Sequence, residues 1–370
     1  MTATRLEIDL NALAHNVAYL KSQIAPEIKM MGVVKAFGYG SDAVAVALKL
    51  QDLDLAYLAV AYVPEGVALR KAGVRLPILV LHPQPENFQL LLEHCLEPSL
   101  YSPRLLKSFI AFAKAEQQKN YPVHIKINTG LNRLGFWEND VDFIADQCQQ
   151  TTAVKVASIF SHLAASEDPK ERPFTLHQIS SFKNSAQTLC NTLGYQPFLH
   201  QSNTSAILNY PEAHFDMVRT GIGMYGYGNE ARYDAILKPV ASLYTTISQI
   251  HQIEPGESVG YNRAFKASTY MKTATLPLGH ADGISRSLGN GKGHVVIAGK
   301  KAPIIGNVCM DMIMVDITGI PCKEGDQVVV FGADHKASAL AEEAATISYE
   351  LLTAISQRVK RVFIGHPQNS

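Results

Sequence analysis

In roughly the first 220 residues, eight short apolar runs alternate with seven stretches of helical periodicity. The runs fall at residues 29–34, 55–60, 77–81, 95–98, 123–127, 154–160, 197–200 and 216–218. Each has the length and apolar character of a buried parallel strand. Helical stretches at 43–50, 64–71, 85–92, 103–117, 140–149, 174–193 and 204–209 separate them. Ser41 or Asp42 is placed to cap the first helix, and Pro64-Glu65 opens the second. Eight such units are what a (β/α)8 barrel requires, so a barrel is expected ahead of a doubly wound open sheet.

The pattern changes near residue 238. From there to 331 the chain reads as short β-branched runs punctuated by Gly and Pro, at 240–251, 273–278, 294–297, 304–305, 312–317 and 327–331. Helical periodicity returns at 338–346 and 348–356. The expectation is an α/β chain of two domains: a TIM-like barrel over 1–235 and a mainly β domain over 236–370. Lys+Arg and Asp+Glu balance at 33 each, which speaks against broad electrostatic binding of nucleic acid or an anionic membrane. The first residues lack the apolar core of a secretory signal, and no stretch reaches membrane-span length. Five scattered cysteines without a Cys-x-x-Cys pair argue against zinc and a disulfide framework. A reduced, cytoplasmic protein is expected, with most cysteines serving as small core residues.

In a barrel, reactive groups sit at the carboxyl ends of the strands. Lys35 ends the first apolar run, in Val33-Val34-Lys35-Ala36-Phe37-Gly38-Tyr39-Gly40. Lys126 and Arg133 end the fifth, His162 the sixth, His200, Asn203 and Thr204 the seventh, and Arg219 the eighth. A strand-end lysine on its own is an ordinary snorkelling side chain. Facing a ring of Arg, His and Asn, it reads instead as a lysine desolvated to condense with a carbonyl. Gly221-Ile222-Gly223 follows the eighth strand, where barrels bind phosphate with bare backbone N–H groups, and Thr204 and Tyr39 are neighbouring donors. A carbonyl-binding lysine beside a phosphate cradle suggests pyridoxal 5'-phosphate. His162 and His200 taken singly read as hydrogen-bonded core histidines.

These residues resemble the alanine racemase family, a fold-type III group of pyridoxal-phosphate enzymes, from end to end. The likeness rests on Val34-Lys35-Ala36 with Tyr39-Gly40, on Lys126 with Thr129-Gly130 and Arg133-Leu134-Gly135, and on Met217-Val218-Arg219 with Gly221-Ile222. Gly260-Tyr261, Ala281-Asp282-Gly283 and Val308-Cys309-Met310-Asp311 extend it into the second domain. The resemblance implies a homodimer with shared sites that interconverts L- and D-alanine, supplying D-alanine for peptidoglycan. It implies that Lys35 carries the cofactor, that Tyr39, Asn203, Thr204, Gly221 and Ile222 lie around its phosphate, and that His162 packs on its ring. Arg219 meets the ring nitrogen, Arg133 the cofactor phenolate and the substrate carboxylate. Tyr261 and Met310 come from the partner subunit, Tyr261 as the second base opposite Lys35 and Met310 at the carboxylate. Two bases are needed because a proton must leave one face and return on the other. Lys126 matches a position that is carbamylated in some members. Asn128, beside that lysine, stands where many members have Asp; His280 and Gln357 stand where many have Tyr, and these two leave open how strictly the pocket prefers alanine. A racemase for serine or other amino acids, a decarboxylase of the same architecture and a non-catalytic cofactor carrier are the alternatives; the second domain with Tyr261 and Met310 argues against the last two.

Overall fold

The computed structural model describes residues 3–365. Its first strand, β1 (Arg5–Asp9), is followed by eight parallel strands: β2 (Lys29–Val33), β3 (Tyr57–Val60), β4 (Ile78–Val80), β5 (Glu97–Leu100), β6 (Tyr121–Lys126), β7 (Val154–Phe160), β8 (Phe198–His200) and β9 (Met217–Thr220). Their order is β8-β7-β6-β5-β4-β3-β2-β9. The remaining gap between β8 and β9 is bridged by Asp216 N–H to the Leu199 carbonyl at 3.1 Å and Arg219 N–H to the Ser202 carbonyl at 3.2 Å. The strands therefore curl into a nearly closed barrel, as the eight-fold alternation predicts. The helices between them begin where local chemistry starts them. Asp42 accepts the Ala45 N–H at 2.8 Å, and Ser102 accepts the Leu105 N–H ahead of helix Pro103–Ala115. Inside the barrel, Met31, Ala59, Leu79 and Met217 form one fully buried apolar layer.

The second domain is built on a nine-stranded sheet. It contains β10 (Ala241–Thr246), β11 (Gln249–Ile253), β14 (Met271–Leu276), β15 (His294–Ile297), β16 (Lys300–Ile305), β17 (Ile313–Asp316), β18 (Gln327–Phe331) and β19 (Lys360–Ile364), while β12 (Ser258–Val259) and β13 (Phe265–Lys266) make a separate small pair. One assignment differs from expectation. The division placed all of 1–235 in the barrel, but β1 pairs antiparallel with β10 and parallel with β19, as a strand of the second sheet. Its sequence RLEID buries Leu6 and Ile8 and leaves the intervening residues half-covered, the alternation of a sheet with one face inward. β12, β13 and β19 were also unexpected; two are only two residues long, and β19 is completed only by pairing with β1. The cysteines are all free, but only Cys148 and Cys190 are buried, fewer than expected. No helix among the described residues is long and apolar enough to cross a membrane.

Because β1 joins β10 to β19, Ile8→Ala, at a position with no exposure, is expected to destabilise the chain by about 2–5 kcal/mol, read from a urea unfolding curve.

Candidate active site

Lys35 follows β2 directly, where Val34 N–H still donates to the Ala59 carbonyl at 2.9 Å. The backbone then turns left-handed: Ala36, Phe37, Gly38, Tyr39 and Gly40 have φ of 52°, 56°, 62°, 53° and 79°. A left-handed residue other than glycine costs about 1–2 kcal/mol, so the surroundings must hold the turn. Glu65 holds its start, accepting the N–H groups of Ala36 and Ala61 at 2.7 Å and of Tyr62 at 3.1 Å. Arg361 holds its end, donating to the Gly40 carbonyl at 2.8 Å. A β-carbon on Gly40 would stand 2.1 Å from the Leu352 carbonyl oxygen, so the second domain packs directly on the turn.

The turn delivers Lys35 and Tyr39 to a cavity of about 790 Å³ at the barrel mouth. Arg133, His162, Asn203, Thr204, Arg219, Gly221 and Ile222 line the same cavity, with Lys126. Every barrel residue expected at the site is thus brought together. Four residues of the second domain, Ile347, Tyr349, Glu350 and Thr353, also wall it. No sequence motif marked these; Tyr349, Glu350 and Thr353 arrive on a helix, Ser348–Ala354, that packs against the Lys35 turn, and Ile347 immediately precedes it.

Arg219 is buried at the back of the cavity. It donates to the Ser161 carbonyl at 2.7 Å, to the carbonyls of His200 and Gln201, to His200 Nδ1 at 2.6 Å and to His162 Nδ1 at 3.1 Å. Burial pulls its pKa down, to about 9, which still leaves it charged near neutrality. Burial first and the Arg219 charge second push both His162 and His200 far toward their neutral forms. Burial, then Arg133 and Arg219, lowers Lys126 to about 8. Burial and then Arg133 lower Lys35 too, against a smaller opposing pull from Glu65. The site is therefore a desolvated basic cluster in which the Arg219 guanidinium keeps its proton while Lys35, Lys126, His162 and His200 are pressed to lose theirs.

At the other end, Gly221 stands against Tyr39. A β-carbon there would lie 2.3 Å from the Tyr39 hydroxyl, so only glycine lets that hydroxyl reach the turn after β9. The Tyr39 ring is seated by stacking on Tyr225, with centroids 4.6 Å apart. Thr204 Oγ1 accepts the Gly223 N–H at 3.2 Å, and Asn203 caps helix Thr204–Asn209 through the Ala206 N–H at 2.9 Å. Hydroxyls and a glycine-bared backbone at one end, and an amine and a guanidinium at the other, can take an anionic group and a carbonyl group of one ligand.

Tyr261 and Met310 do not join this cavity. They stand exposed on the second domain, at 72% and 59%. Met310 lies in a loop whose carbonyls accept the N–H groups of His280 and Ala281. Arg358 braces that loop, pairing with both Asp282 oxygens at 2.7 and 2.9 Å and with Asp311 at 2.7 Å. Arg358 sits beside Gln357 in the sequence, and nothing in its spacing marked it. His280 and Gln357 are both exposed.

A parallel barrel with a desolvated lysine at a strand end, a buried guanidinium behind it and a β domain packed over its mouth defines the class of protein. Comparison with known proteins narrows it. Residues 8–229 match the family model described as alanine racemase, N-terminal domain, and residues 240–363 match that described as alanine racemase, C-terminal domain. The chain belongs to the alanine racemase family. It is 38% identical to the alanine racemase of Treponema denticola over 98% of this chain and 99% of that one. Among solved structures, alanine racemase from D-cycloserine-producing Streptomyces lavendulae superposes with a TM-score of 0.93 at 30% identity, covering 99% of this chain and 98% of that one. The Bartonella henselae alanine racemase, solved with covalently bound pyridoxal phosphate, superposes with a TM-score of 0.89 at 27% identity, covering 98% of this chain and all of that one.

The basic cluster has a pH signature. Lys126 has a lower pKa folded (about 8) than its ordinary 10.5, so between those values the unfolded chain binds more protons and stability rises with pH. Lys126→Met is expected to stabilise the protein by about 3 kcal/mol at pH 7, with the gain over wild type shrinking toward pH 10.5 in paired denaturation curves.

Proposed function

We propose that this chain is an alanine racemase that holds pyridoxal phosphate at the barrel mouth and works as a homodimer. The observation that carries the reading is Lys35: a half-buried amine pressed toward its neutral form, opposite a buried charged guanidinium, beside a cradle that a β-carbon at Gly221 would fill. The donor set fits the cofactor. Lys35 is the amine for its carbonyl, Arg219 the donor for its ring nitrogen, and Tyr39, Thr204 and the backbone of Gly221 and Ile222 the donors for its phosphate. His162 lines the cavity as a neutral ring that would pack on the cofactor, and Asn203 fixes the start of the helix beside the phosphate cradle.

When bound, pyridoxal phosphate withdraws electrons from the amino acid and acidifies its Cα proton. The protein's task is then to bind the carboxylate, exclude water and move one proton between faces. Arg133 reaches into the cavity on a loop closed by Phe136 N–H to the Lys126 carbonyl at 2.8 Å and by Asn128 Oδ1, which accepts the Gly130 and Asn132 N–H groups. Asn128 therefore keeps the loop in order at the position where it departs from the family pattern. Arg133 binds the substrate carboxylate, helped by the Met310 backbone of the partner subunit. Lys35 Nζ takes or returns the proton on one face, its low affinity for protons suiting it to both tasks. Arg219 donates a hydrogen bond and keeps its own proton.

The other face needs a second acid–base group, and this cavity lacks Tyr261. A phenol 72% exposed beside an exposed Met310 and a half-exposed Met312 fits a surface covered by a second copy. Tyr261 of the partner subunit then takes the proton from L-alanine, and Lys35 from D-alanine. Tyr261 and Met310 of the partner subunit would narrow the pocket and so favour alanine over larger side chains, by about 1–3 kcal/mol per added methylene-sized group.

Reconstitution with pyridoxal phosphate tests this. Wild type is expected to racemise L-alanine and to leave L-lysine and L-glutamate unchanged. Lys35→Ala is expected to lose both the bound-cofactor absorbance and turnover. Tyr261→Ala keeps the absorbance and loses racemisation by about 10²-fold or more in both directions, while exchange of the α-proton in heavy water is lost from L-alanine and kept from D-alanine. Retained absorbance in the first variant, or near-normal turnover in both directions in the second, refutes the assignment.

A further inference from the structure

Four hydrogen bonds run in series through the barrel interior and end on Arg219. Its Nη1 lies 2.6 Å from His200 Nδ1; His200 Nε2 lies 2.9 Å from Ser158 Oγ; Ser158 Oγ lies 2.6 Å from His124 Nδ1; and His124 Nε2 lies 2.7 Å from Glu97 Oε2. None of the five residues is more than 9% exposed. The series crosses β5, β6, β7, β8 and β9 in turn, climbing from the first residue of β5 toward the carboxyl ends of β8 and β9. Barrels ordinarily fill this space with aliphatic layers, as this one does at Met31, Ala59, Leu79 and Met217. A polar diagonal there is costly unless every member is satisfied.

Donor and acceptor rules give the series one direction. A guanidinium only donates, so His200 Nδ1 accepts and the ring proton sits on Nε2, donating to Ser158. With His124 as the Nε2–H tautomer, Ser158 gives its hydrogen to His124 Nδ1, and His124 Nε2–H donates to Glu97. An ionised carboxylate only accepts, so it terminates the run. Tyr57 donates to the same carboxylate, and Arg70 lies within its field. The groups Arg219 touches directly are all uncharged: two imidazoles and three backbone carbonyls. Glu97 is thus the anion to which the buried cation is hydrogen-bonded, at four bonds' remove.

We propose that Glu97 is a positioning residue for the reaction. Through His124 and Ser158 its carboxylate holds His200 in the Nε2–H tautomer that the Arg219 donor requires, and so fixes the direction in which Arg219 presents its guanidinium to the cofactor ring nitrogen. Were the series reversed, His200 would aim an N–H at a donor 2.6 Å away, and the guanidinium would have to swing. The inference rests on the cofactor reading above for its consequence, but not for the hydrogen-bond series itself.

The test begins without cofactor. In apoprotein carrying 15N-histidine, long-range proton–nitrogen spectra distinguish the two neutral tautomers and the charged form. His124 and His200, assigned by loss of signal in His124→Gln and His200→Gln, are expected as neutral Nε2–H tautomers. Glu97→Gln, whose amide both donates and accepts, mixes the tautomers at His200. Ser158→Ala cuts the series without removing charge, releasing His200 while His124 stays as in wild type. In the reconstituted enzyme either change is expected to lower kcat for alanine by about tenfold with KM moving less than about twofold, and the double variant to be no worse than the worse single one. A His200 that keeps its tautomer in both variants, or losses that simply multiply, overturns the proposal. If Glu97→Gln does not fold, Ser158→Ala decides it alone. Failure of the racemase reading shows separately, as wild type that does not turn over alanine.

Discussion

A charged guanidinium taken out of water at the mouth of a barrel governs the site around it. Arg219 is held by carbonyls and imidazoles, acceptors that orient it without cancelling its charge. In a medium of low dielectric that charge acts strongly on its neighbours. It contributes, after burial itself, to keeping His162 and His200 neutral and to lowering Lys126. A cavity arranged this way holds fixed guanidinium charge beside an amine able to accept a proton, the combination that proton transfer at a carbon next to a carboxylate requires.

The second necessity is mechanical. Lys35 leaves its strand through five successive left-handed residues, a path that a free chain avoids. Its supports come from both domains: Glu65 from the barrel, Arg361 and the Leu352 backbone from the β domain. The β domain is itself anchored by β1, the first strand of the chain, which reaches across before the barrel begins. The two domains therefore form one device. The second presses the lysine turn into place and walls the cavity with Tyr349, while its exposed Tyr261 and Met310 face away from this chain's own site.

What could be read from the sequence follows from which forces are local. Eight strand–helix alternations are written in residue periodicity, and the strand ends came within two residues of those expected for most of the barrel. Lys35, Arg133, His162, Asn203, Thr204, Arg219 and Gly221 follow from strand-end position alone, because a barrel gathers its strand ends whatever their separation in sequence. Tyr261 and Met310 carry no such marker; only the family likeness singles them out, and the structure leaves them on the outer surface. β1 and β19 were missed because β19 is a strand only by pairing with β1, some 350 residues away, and β1 only by pairing with β10 and β19. The left-handed turn was missed because its residues, Ala36 and Phe37 among them, do not favour it; tertiary contacts impose it. The Glu97 series was missed for a related reason. A glutamate, two histidines and a serine on separate strands look like isolated core polar groups until the barrel stagger lines them up.

Mixing two dead enzymes tests the shared-site account most directly. Lys35→Ala and Tyr261→Ala each lack one base, but a hybrid dimer rebuilds one complete site from Lys35 of one chain and Tyr261 of the other. Unfolding and refolding an equimolar mixture is expected to restore roughly a quarter of wild-type alanine racemisation, since half the dimers are hybrids and each has one intact site. Activity that stays at the level of the separate variants, in a mixture shown to contain hybrid dimers, contradicts the claim that each site takes its second base from a partner.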